Sequence, residues 1–288
     1  MPLAATAELV AAARAAGTAV LAFNVITLEH AQAIAAGAAA ADRPAILQIS
    51  QNAVRYHAGV LPIAAAAAEV ARLCPVPLGL HLDHVEDVTL LRQAADAGFS
   101  SVMFDAGALP YDHNVAATRA AADWAREQGL WLEAELGHVG GKPGAPASAH
   151  LAGVRTDPEE AARYVAETGV DALAVAVGSS HTMTTRTATL DQELIVALRE
   201  AVPVPLVLHG SSGVPFGELR AGVGNGIVKV NVGTALNVAF TGAVRAALAT
   251  DSSVDPRRYL SAGREAMTAA VAELLAVLPE PSGAPALG

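Results

Sequence analysis

Short apolar runs rich in β-branched residues recur along the whole chain, and Ala-rich stretches with helical spacing separate them. The runs have the length and composition of buried strands, and the stretches between them are typical of helices. This pattern predicts eight strands, at AVLAFN (19–24), AILQIS (45–50), LGLHLDH (78–84), SVMFDAG (101–107), WLEAELG (131–137), ALAVAVG (172–178), PLVLHG (205–210) and IVKVNVG (227–233). Helices are predicted at LEHAQAIAAGAAAAD (28–42), VTLLRQAADAG (88–98), EEAARYVAETG (159–169) and QELIVALREA (192–201), with a first amphipathic helix before strand 1.

The regular alternation of strand and helix predicts parallel βαβ units and an α/β fold. Eight repeats in 288 residues favour a closed (β/α)8 TIM barrel. A doubly wound open sheet is the alternative, but AFNVITLEH, around the end of strand 1, lacks the glycine fingerprint of that fold. No Pro- or Ser-rich tract divides the chain, so we predict a single barrel domain over residues 1–288.

Charge and composition limit the kinds of molecule that the protein is expected to bind. The net charge is −10 and no basic stripe is present, which argues against binding to nucleic acid or to an anionic membrane surface. Small anionic substrates are compatible with this net charge, because their binding needs only a local pocket of hydrogen-bond donors. Cys74 is the single cysteine, so the sequence offers neither a disulfide framework nor a thiolate metal site. The first residues do not resemble a signal peptide and no long uncharged apolar run follows, so we expect a cytoplasmic protein.

The connection after strand 5 is unusually long. Residues 138–157 are rich in glycine and proline and show no clear period. Loops of this length inside a compact domain are typically functional. Because this one follows a strand, it belongs to the C-terminal face, where barrel enzymes keep their chemistry. We therefore predict a flexible active-site loop around 138–157.

Three of the nine histidines occupy the same kind of position. His84 ends LGLHLDH, His181 follows ALAVAVGSS and His209 ends PLVLHG, so all three project from the C-terminal ends of predicted strands. Imidazoles that converge on one rim suit a catalytic Zn²⁺ with an open coordination position. Each of them is equally compatible with a hydrogen-bonded rim residue, and position alone does not decide between the two.

Acidic residues lie at the same predicted rim. Asp83 precedes His84, where a carboxylate can act as general acid or base beside a metal, or only orient a histidine. Glu133 and Glu135 alternate on strand 5, where paired acids are costly without cationic partners. Asp105 ends strand 4. The rim is therefore expected to be acidic and to carry histidines.

Two loops of small residues follow the last strands. GSSG (210–213) comes after strand 7 and NVGT (231–234) after strand 8. Their backbone N–H groups and hydroxyls are accessible, and the loops after strands 7 and 8 are where many barrels bind phosphate. Glycine loops alone are a weak signal, but their place beside His209 indicates an anion pocket.

Taken in order, these segments resemble one known family. AFNV, LHLDH, LEAELG followed by GG, LAVAVGSSH, VLHGSSGV and VKVNVGT are similar to motifs of the class II, metal-dependent ketose-bisphosphate aldolases, which include fructose- and tagatose-bisphosphate enzymes. The resemblance runs along nearly the whole chain, out to DPRRYL (255–260). It implies a zinc-dependent lyase of carbohydrate metabolism, including glycolysis. Such an enzyme reversibly cleaves a ketose bisphosphate to dihydroxyacetone phosphate and an aldehyde such as glyceraldehyde 3-phosphate.

The resemblance also implies roles for individual residues. Asp83 would be the catalytic acid and base, and the implied zinc ligands are His84, His181 and His209. The residues that would contact the substrate or its phosphates are Asn24, Ser50, Gly210, Ser212, Asn231, Thr234 and Arg257. Asp105 and Glu135 fall near a second metal position, and a monovalent cation is a further candidate cofactor. Because the family donates the arginine across a subunit interface, Arg257 implies a homodimer or homotetramer.

The sequence departs from the family pattern in the loop after strand 5. The family carries an acid there that moves the proton at the enediolate carbon, whereas GGKPGAPASAH has Lys142 and Pro143, and the loop contains no Asp or Glu before Asp157. Either another group such as His138 or His150 does this work, or the activity is altered. The alternatives are thus a catalytically altered sugar-phosphate-binding homologue or an aldolase for a different aldehyde. A metal-dependent barrel hydrolase is less favoured, since strand 1 lacks the usual HxH pair.

Overall fold

The computed structural model describes residues 3–137 and 155–280. Eight parallel strands form a closed barrel in which the strand order follows the sequence. The strands are β1 (Val20–Asn24), β2 (Ala45–Ser50), β3 (Leu78–Val85), β4 (Ser101–Phe104), β5 (Trp131–Leu136), β6 (Ala172–Val175), β7 (Leu206–Leu208) and β8 (Ile227–Val232). Every predicted strand is present, and the (β/α)8 barrel is confirmed.

Helices connect the strands and cover the outside of the barrel. They are α1 (Thr6–Ala15), α2 (Leu28–Ala41), α3 (Gln51–Tyr56), α4 (Val60–Leu73), α5 (Val88–Leu91), α6 (Tyr111–Glu127), α7 (Pro158–Thr168), α8 (Gln192–Ala201), α9 (Phe216–Asn225), α10 (Thr234–Thr250) and α11 (Pro256–Val277). A short 3₁₀ turn, Ser211–Gly213, follows β7. Within the described ranges, none of the helices has the length and apolar character needed to cross a bilayer.

One predicted helix is much shorter than expected. The pattern at 88–98 predicts a helix throughout, but α5 ends at Leu91 and turns follow. The amides of Gln93 and Ala94 bond to the carbonyls three residues before them, which winds the chain more tightly than an α-helix. The tighter path carries Ala94 and Phe99 into the core, so tertiary packing overrides the helical pattern here.

Alternation along the strands separates an apolar layer from a polar interior. In β3 the side chains of Leu78, Leu80 and Leu82 belong to the large apolar cluster that includes the surrounding helices. His81 and Asp83 point the other way and bond to Ser101 of β4 and Gln48 of β2. Successive side chains of a barrel strand alternate between the outside and the inside of the barrel. Since the leucines of β3 face the helices outside, His81 and Asp83 face inward.

Helix α1 closes the barrel at the N-terminal ends of the strands. Its Leu9 and Val10 pack against Val20 at the start of β1 and Val228 near the start of β8. The hydroxyl of Thr6 accepts a hydrogen bond from Ser101 Oγ at 2.7 Å, which fixes the helix to β4. The interior is therefore reached from the C-terminal ends of the strands.

The predicted active-site loop lies mostly outside the described residues, since 138–154 are not among them. Where the chain is described again, the Thr156 hydroxyl donates to the carbonyl of Leu136 and accepts from the amide of Ala176. Asp157 then caps α7 by accepting from the amide of Glu160. The flexibility of this loop and the single-domain organisation of residues 1–288 stay predictions.

Candidate active site

The C-terminal ends of the strands surround a cavity of about 840 Å³. Most of the predicted site residues line it: Asn24, Ser50, Asp83, His84, Asp105, Glu135, His181, Gly210, Ser212, Asn231 and Thr234. His209 is fully buried, and its ring centroid lies 4.9 Å from that of His84. The predicted site residues are thus brought to one place. Arg257 is the exception, because it does not line this cavity.

His84, His181 and His209 form one cluster. A ring nitrogen from each lies within 4.8 Å of those of the other two. The ring centroids of His84 and His181 are 5.4 Å apart, and those of His181 and His209 are 5.9 Å apart. Three imidazoles that meet at a cavity are the donor set of catalytic zinc sites, in which a further coordination position stays open for water or substrate. The cluster therefore fits a catalytic divalent metal ion.

The backbone of His84 adopts an unusual conformation. Its φ is 48°, in the left-handed region that residues other than glycine rarely occupy. The pairing of β3 with β4 shifts register between Leu82 and Val85, so the strand is irregular at this residue. Nδ1 of the His84 ring lies 3.4 Å from Asp105 Oδ2, so Nε2 is the nitrogen that is available to a metal. Strain of this kind is typical of functional sites.

His209 is held by a carboxylate on each side of its ring. Nδ1 lies 2.8 Å from Glu135 Oε2, and Nε2 lies 2.8 Å from Glu133 Oε1. Burial lowers the pKa of His209, but the hydrogen bonds to these two carboxylates outweigh burial and raise the pKa to about 9. The negative charge of the two carboxylates, which stabilises the protonated ring, also favours a metal cation bound at this place. Glu135 lines the cavity and Glu133 is fully buried, so Nδ1 is the nitrogen on the cavity side.

The acidic pair on β5 has a cationic partner that sequence analysis missed. Lys229 Nζ on β8 donates to Glu133 Oε2 at 2.8 Å, and both side chains are fully buried. Burial raises the pKa of Glu133, but Lys229 and His209 outweigh burial and hold the pKa of this carboxyl well below its usual range. The one signal in the sequence is a lone lysine inside an otherwise strand-like apolar run, IVKVNV.

Asp83 lies buried next to the histidine cluster. Its Oδ2 is 3.9 Å from His84 Nε2 and accepts a hydrogen bond from Gln48 Nε2 at 3.4 Å. Burial raises the pKa of Asp83, but nearby charges, that of His84 first, outweigh burial and place the pKa below its ordinary value. The carboxylate is therefore ionised at neutral pH, which is the form that accepts a proton.

The loops after β7 and β8 form the other side of the cavity. Gly210 has φ 66°, and a Cβ there would lie 2.6 Å from the carbonyl carbon of Ser180, so the position requires glycine. Ser212 Oγ accepts from the amide of Ala235 at 3.0 Å, and Thr234 is the first residue of α10. A 17-residue helix thus begins beside two hydroxyls at the cavity wall. Helix N-termini with adjacent hydroxyls favour anions such as phosphate.

The remaining predicted substrate residues divide into two groups. Asn24 and Ser50, at the ends of β1 and β2, line the cavity; Asn24 Oδ1 accepts a hydrogen bond from Gln48, and Ser50 caps α3. Arg257 lies at the start of α11 with its side chain 88% exposed, and its guanidinium pairs with Asp255 at 2.6 Å. Arg257 does not line the cavity of its own chain. A role for it across a subunit interface stays a prediction.

The closed barrel, the histidine cluster and the ionised carboxylate beside it define the class of the protein, a barrel enzyme with a candidate metal site. Residues 4–280 match the family model described as fructose-bisphosphate aldolase class-II. The chain therefore belongs to the class II fructose-bisphosphate aldolase family. It is an aldolase, a lyase, in a family that is generally metal-dependent.

Solved structures agree with this membership. The YdjI aldolase from Escherichia coli K12 is 28% identical with a TM-score of 0.84, over 98% of this chain and 100% of that one. A Coccidioides immitis protein provisionally assigned as a fructose-1,6-bisphosphate aldolase is 32% identical with a TM-score of 0.84, over 94% and 95% of the two chains. The fructose-bisphosphate aldolase (Fba) of Campylobacter jejuni is 22% identical with a TM-score of 0.82, over 96% and 95%, and shows the fold alone.

Proposed function

We propose that the protein catalyses the zinc-dependent, reversible aldol cleavage of a ketose bisphosphate such as fructose or tagatose 1,6-bisphosphate. The products are dihydroxyacetone phosphate and glyceraldehyde 3-phosphate. The observation that carries the proposal is the buried Asp83 carboxylate, 3.9 Å from His84, in one cavity with Ser212 and Thr234 at the start of α10. Groups for proton transfer, metal binding and phosphate recognition therefore surround a space of small-molecule size.

The chemistry is divided among these groups. Asp83 takes the proton of the C4 hydroxyl as the C3–C4 bond breaks, and returns it in condensation. The electron pair of the broken bond stays on the dihydroxyacetone phosphate half, where C3 takes up a proton from water or from a loop group such as His138 or His150. His84, His181 and His209 would hold a Zn²⁺ ion, which would supply Lewis-acid stabilisation of the negative charge that develops on the dihydroxyacetone phosphate half. The phosphate of that half is bound by the backbone and hydroxyls at Gly210, Ser212 and Thr234, in the anion-binding position described above.

One of two acids at the site orients a metal-binding histidine in this proposal, and the other lies at the metal-binding nitrogen of a second histidine. Asp105 lies 3.4 Å from His84 Nδ1, which leaves His84 Nε2 for the metal, whereas Glu135 lies 2.8 Å from His209 Nδ1, the nitrogen on the cavity side. Both line the cavity. Carboxylates that hold the rings of metal-ligating histidines fix their orientation and raise their basicity. Because these oxygens also face the cavity, they offer the metal a second position.

An aldolase for a different aldehyde is the second candidate. The feature that favours it is the stretch GGKPGAPASAH, which has no Asp or Glu where the resemblance leads us to expect an acid. The stretch lies outside the described residues. The groups assigned to the dihydroxyacetone phosphate half are all present, so the difference would concern proton transfer and the choice of aldehyde.

Product analysis tests the proposal. Purified protein is supplied with fructose or tagatose 1,6-bisphosphate, and dihydroxyacetone phosphate is detected by coupled reduction with NADH. We expect turnover of at least one of the two substrates, with Asp83→Ala protein as the blank. Cleavage of neither, combined with condensation of dihydroxyacetone phosphate onto other aldehydes, would favour the second candidate. Binding of the sugar phosphates without turnover in either direction would indicate a non-catalytic homologue.

We further propose a homodimer or homotetramer in the cytoplasm. Of the described side chains of α10, Leu236 alone is buried, while Val238 and Leu248 are 49% and 52% exposed. Apolar side chains along one exposed helix are suited to contact with a second copy. Arg257 lies in the first turn of α11, which packs against α10. A second copy bound on this side could therefore contact the Arg257 guanidinium. A cytoplasmic location agrees with a single cysteine, Cys74, that is free and buried.

The oligomer assignment predicts a specific kinetic defect. Arg257→Ala is expected to raise KM for a bisphosphate substrate by about tenfold or more, as expected for the loss of a charge-assisted hydrogen bond. Mass in solution, measured by light scattering, is expected to be that of a dimer or larger and unchanged in the variant. Arg258→Ala is the matched control, because Arg258 is an exposed neighbour that pairs with Asp251. A strictly monomeric protein would remove Arg257 from the site.

A further inference from the structure

Lys229 is enclosed in the barrel interior and does not line the cavity. The chain has only two lysines, Lys142 and Lys229, although lysine and arginine together number 18. Placing one of the two inside the barrel is costly, because an ammonium group loses its hydration there and must be compensated by close partners. The position therefore calls for an explanation beyond packing.

The first contact of Lys229 leads to the histidine cluster. Nζ donates to Glu133 Oε2 at 2.8 Å, and the other oxygen of the same carboxylate lies 2.8 Å from His209 Nε2. Glu133 thus bridges the lysine and the imidazole. Because the lysine holds one oxygen, the carboxylate plane is fixed and the second oxygen stays on Nε2. This chain of contacts keeps Nδ1 of His209 on the cavity side.

The second contact of Lys229 leads to the predicted substrate residue Asn231. Nζ donates to Asn231 Oδ1 at 2.7 Å. Since an ammonium group only donates, the oxygen of the amide must face Lys229 and the NH₂ group must face away. Asn231 lines the cavity, and its Nδ2 is buried without a hydrogen-bond partner among the residues that the structure describes. The amide is therefore left with a donor for a substrate oxygen.

We propose that Lys229 is a positioning residue that fixes two parts of the active site at once. Through Glu133 it holds His209 in the orientation for metal binding, and directly it holds the Asn231 amide with the NH₂ group available to the substrate. This inference rests on the proposed function. The ammonium group of lysine is a compact charge with three N–H donors, so it can bond to Glu133 and Asn231 at once. The planar guanidinium of an arginine would present its donors in a fixed fork geometry instead.

The test substitutes Lys229→Met, which keeps an unbranched side chain one atom shorter than lysine and removes its donors. Zinc affinity, measured by competition with a chromophoric chelator, is expected to fall about 10–100-fold, the usual effect of losing a partner that orients a metal ligand. Activity at saturating zinc is then expected to stay below that of the wild type, because the Asn231 amide is free to turn. The zinc measurement does not depend on turnover of any substrate.

A second variant covers the case in which Lys229→Met does not fold. Glu133→Gln combined with Lys229→Met removes both buried charges and leaves a neutral acceptor for His209 Nε2. We expect this protein to fold, as judged by its melting curve, and to bind zinc less tightly than the wild type, because nothing then fixes the side chain at position 133. Zinc affinity equal to that of the wild type in this folded protein would overturn the positioning of His209 through Glu133.

Each of the two roles proposed for Lys229 would be disproved by a different result. An unchanged zinc dissociation constant in folded Lys229→Met protein would overturn the positioning of His209, because a merely structural ion pair alters only the melting temperature. Full activity at saturating zinc would overturn the role at Asn231. Failure of the proposed function is visible elsewhere, as wild-type protein that binds no zinc or cleaves no ketose bisphosphate.

Discussion

Replacing Asp83 with alanine is expected to lower the rate of aldol cleavage by about 100-fold or more, the usual range for removing a general acid or base. The reason is that Asp83 is a buried, ionised carboxylate next to the histidine cluster, with His84 Nε2 at 3.9 Å. In the proposed function the three imidazoles hold the metal without Asp83, so zinc content is expected to stay nearly that of the wild type.

Asp83→Asn is the matched variant, because it keeps the shape of the side chain and its contact with Gln48 while removing the charge. Steady-state cleavage and zinc content are measured on both variants. We expect both to be inactive and zinc-loaded. Protein that loses its zinc with either substitution would instead identify Asp83 as a group that only orients the metal ligands.

Removing the metal is expected to abolish cleavage, and adding Zn²⁺ is expected to restore it. Lewis-acid stabilisation by a catalytic metal is worth several kcal/mol, so treatment with a chelator is expected to lower the rate by about 1000-fold or more. The cluster brings one ring nitrogen of each imidazole within 4.8 Å of the other two, the donor set typical of a catalytic zinc site.

Variants of the cluster separate the metal from other effects of a chelator. His181→Ala is expected to lose both zinc and activity, whereas His113→Ala, an exposed histidine at the start of α6, is expected to retain both. Zinc content by atomic absorption and cleavage rate are compared on the same preparations. Metal-free protein that still cleaves a ketose bisphosphate would rule out the mechanism proposed above.

The strands and the histidine cluster were predictable because their signals are local. Each strand is a short apolar run bounded by turn residues, and a parallel barrel brings every C-terminal strand end to one rim. Placing His84, His181 and His209 at strand ends was therefore enough to predict that they meet. The fold and the family are confirmed, whereas the roles of individual residues stay predictions.

Features that depend on pairing between distant residues were not predictable. Lys229 and Glu133 are 96 residues apart, and nothing near either one indicates its partner. The sequence showed only that Glu133 and Glu135 need a cation. The left-handed conformation of His84 and the early end of α5 likewise depend on register and core packing, which a periodic pattern does not encode.

Closure of the barrel by α1 has a consequence for the order of events in turnover. Since Leu9 and Val10 seal one end of the interior, substrate enters and both products leave through the same opening at the other end. Because the two products share one exit, the fragment bound nearer the opening is expected to depart first and the deeper one last. Release is then sequential by geometry, and the trailing product competes with the next substrate for the same passage.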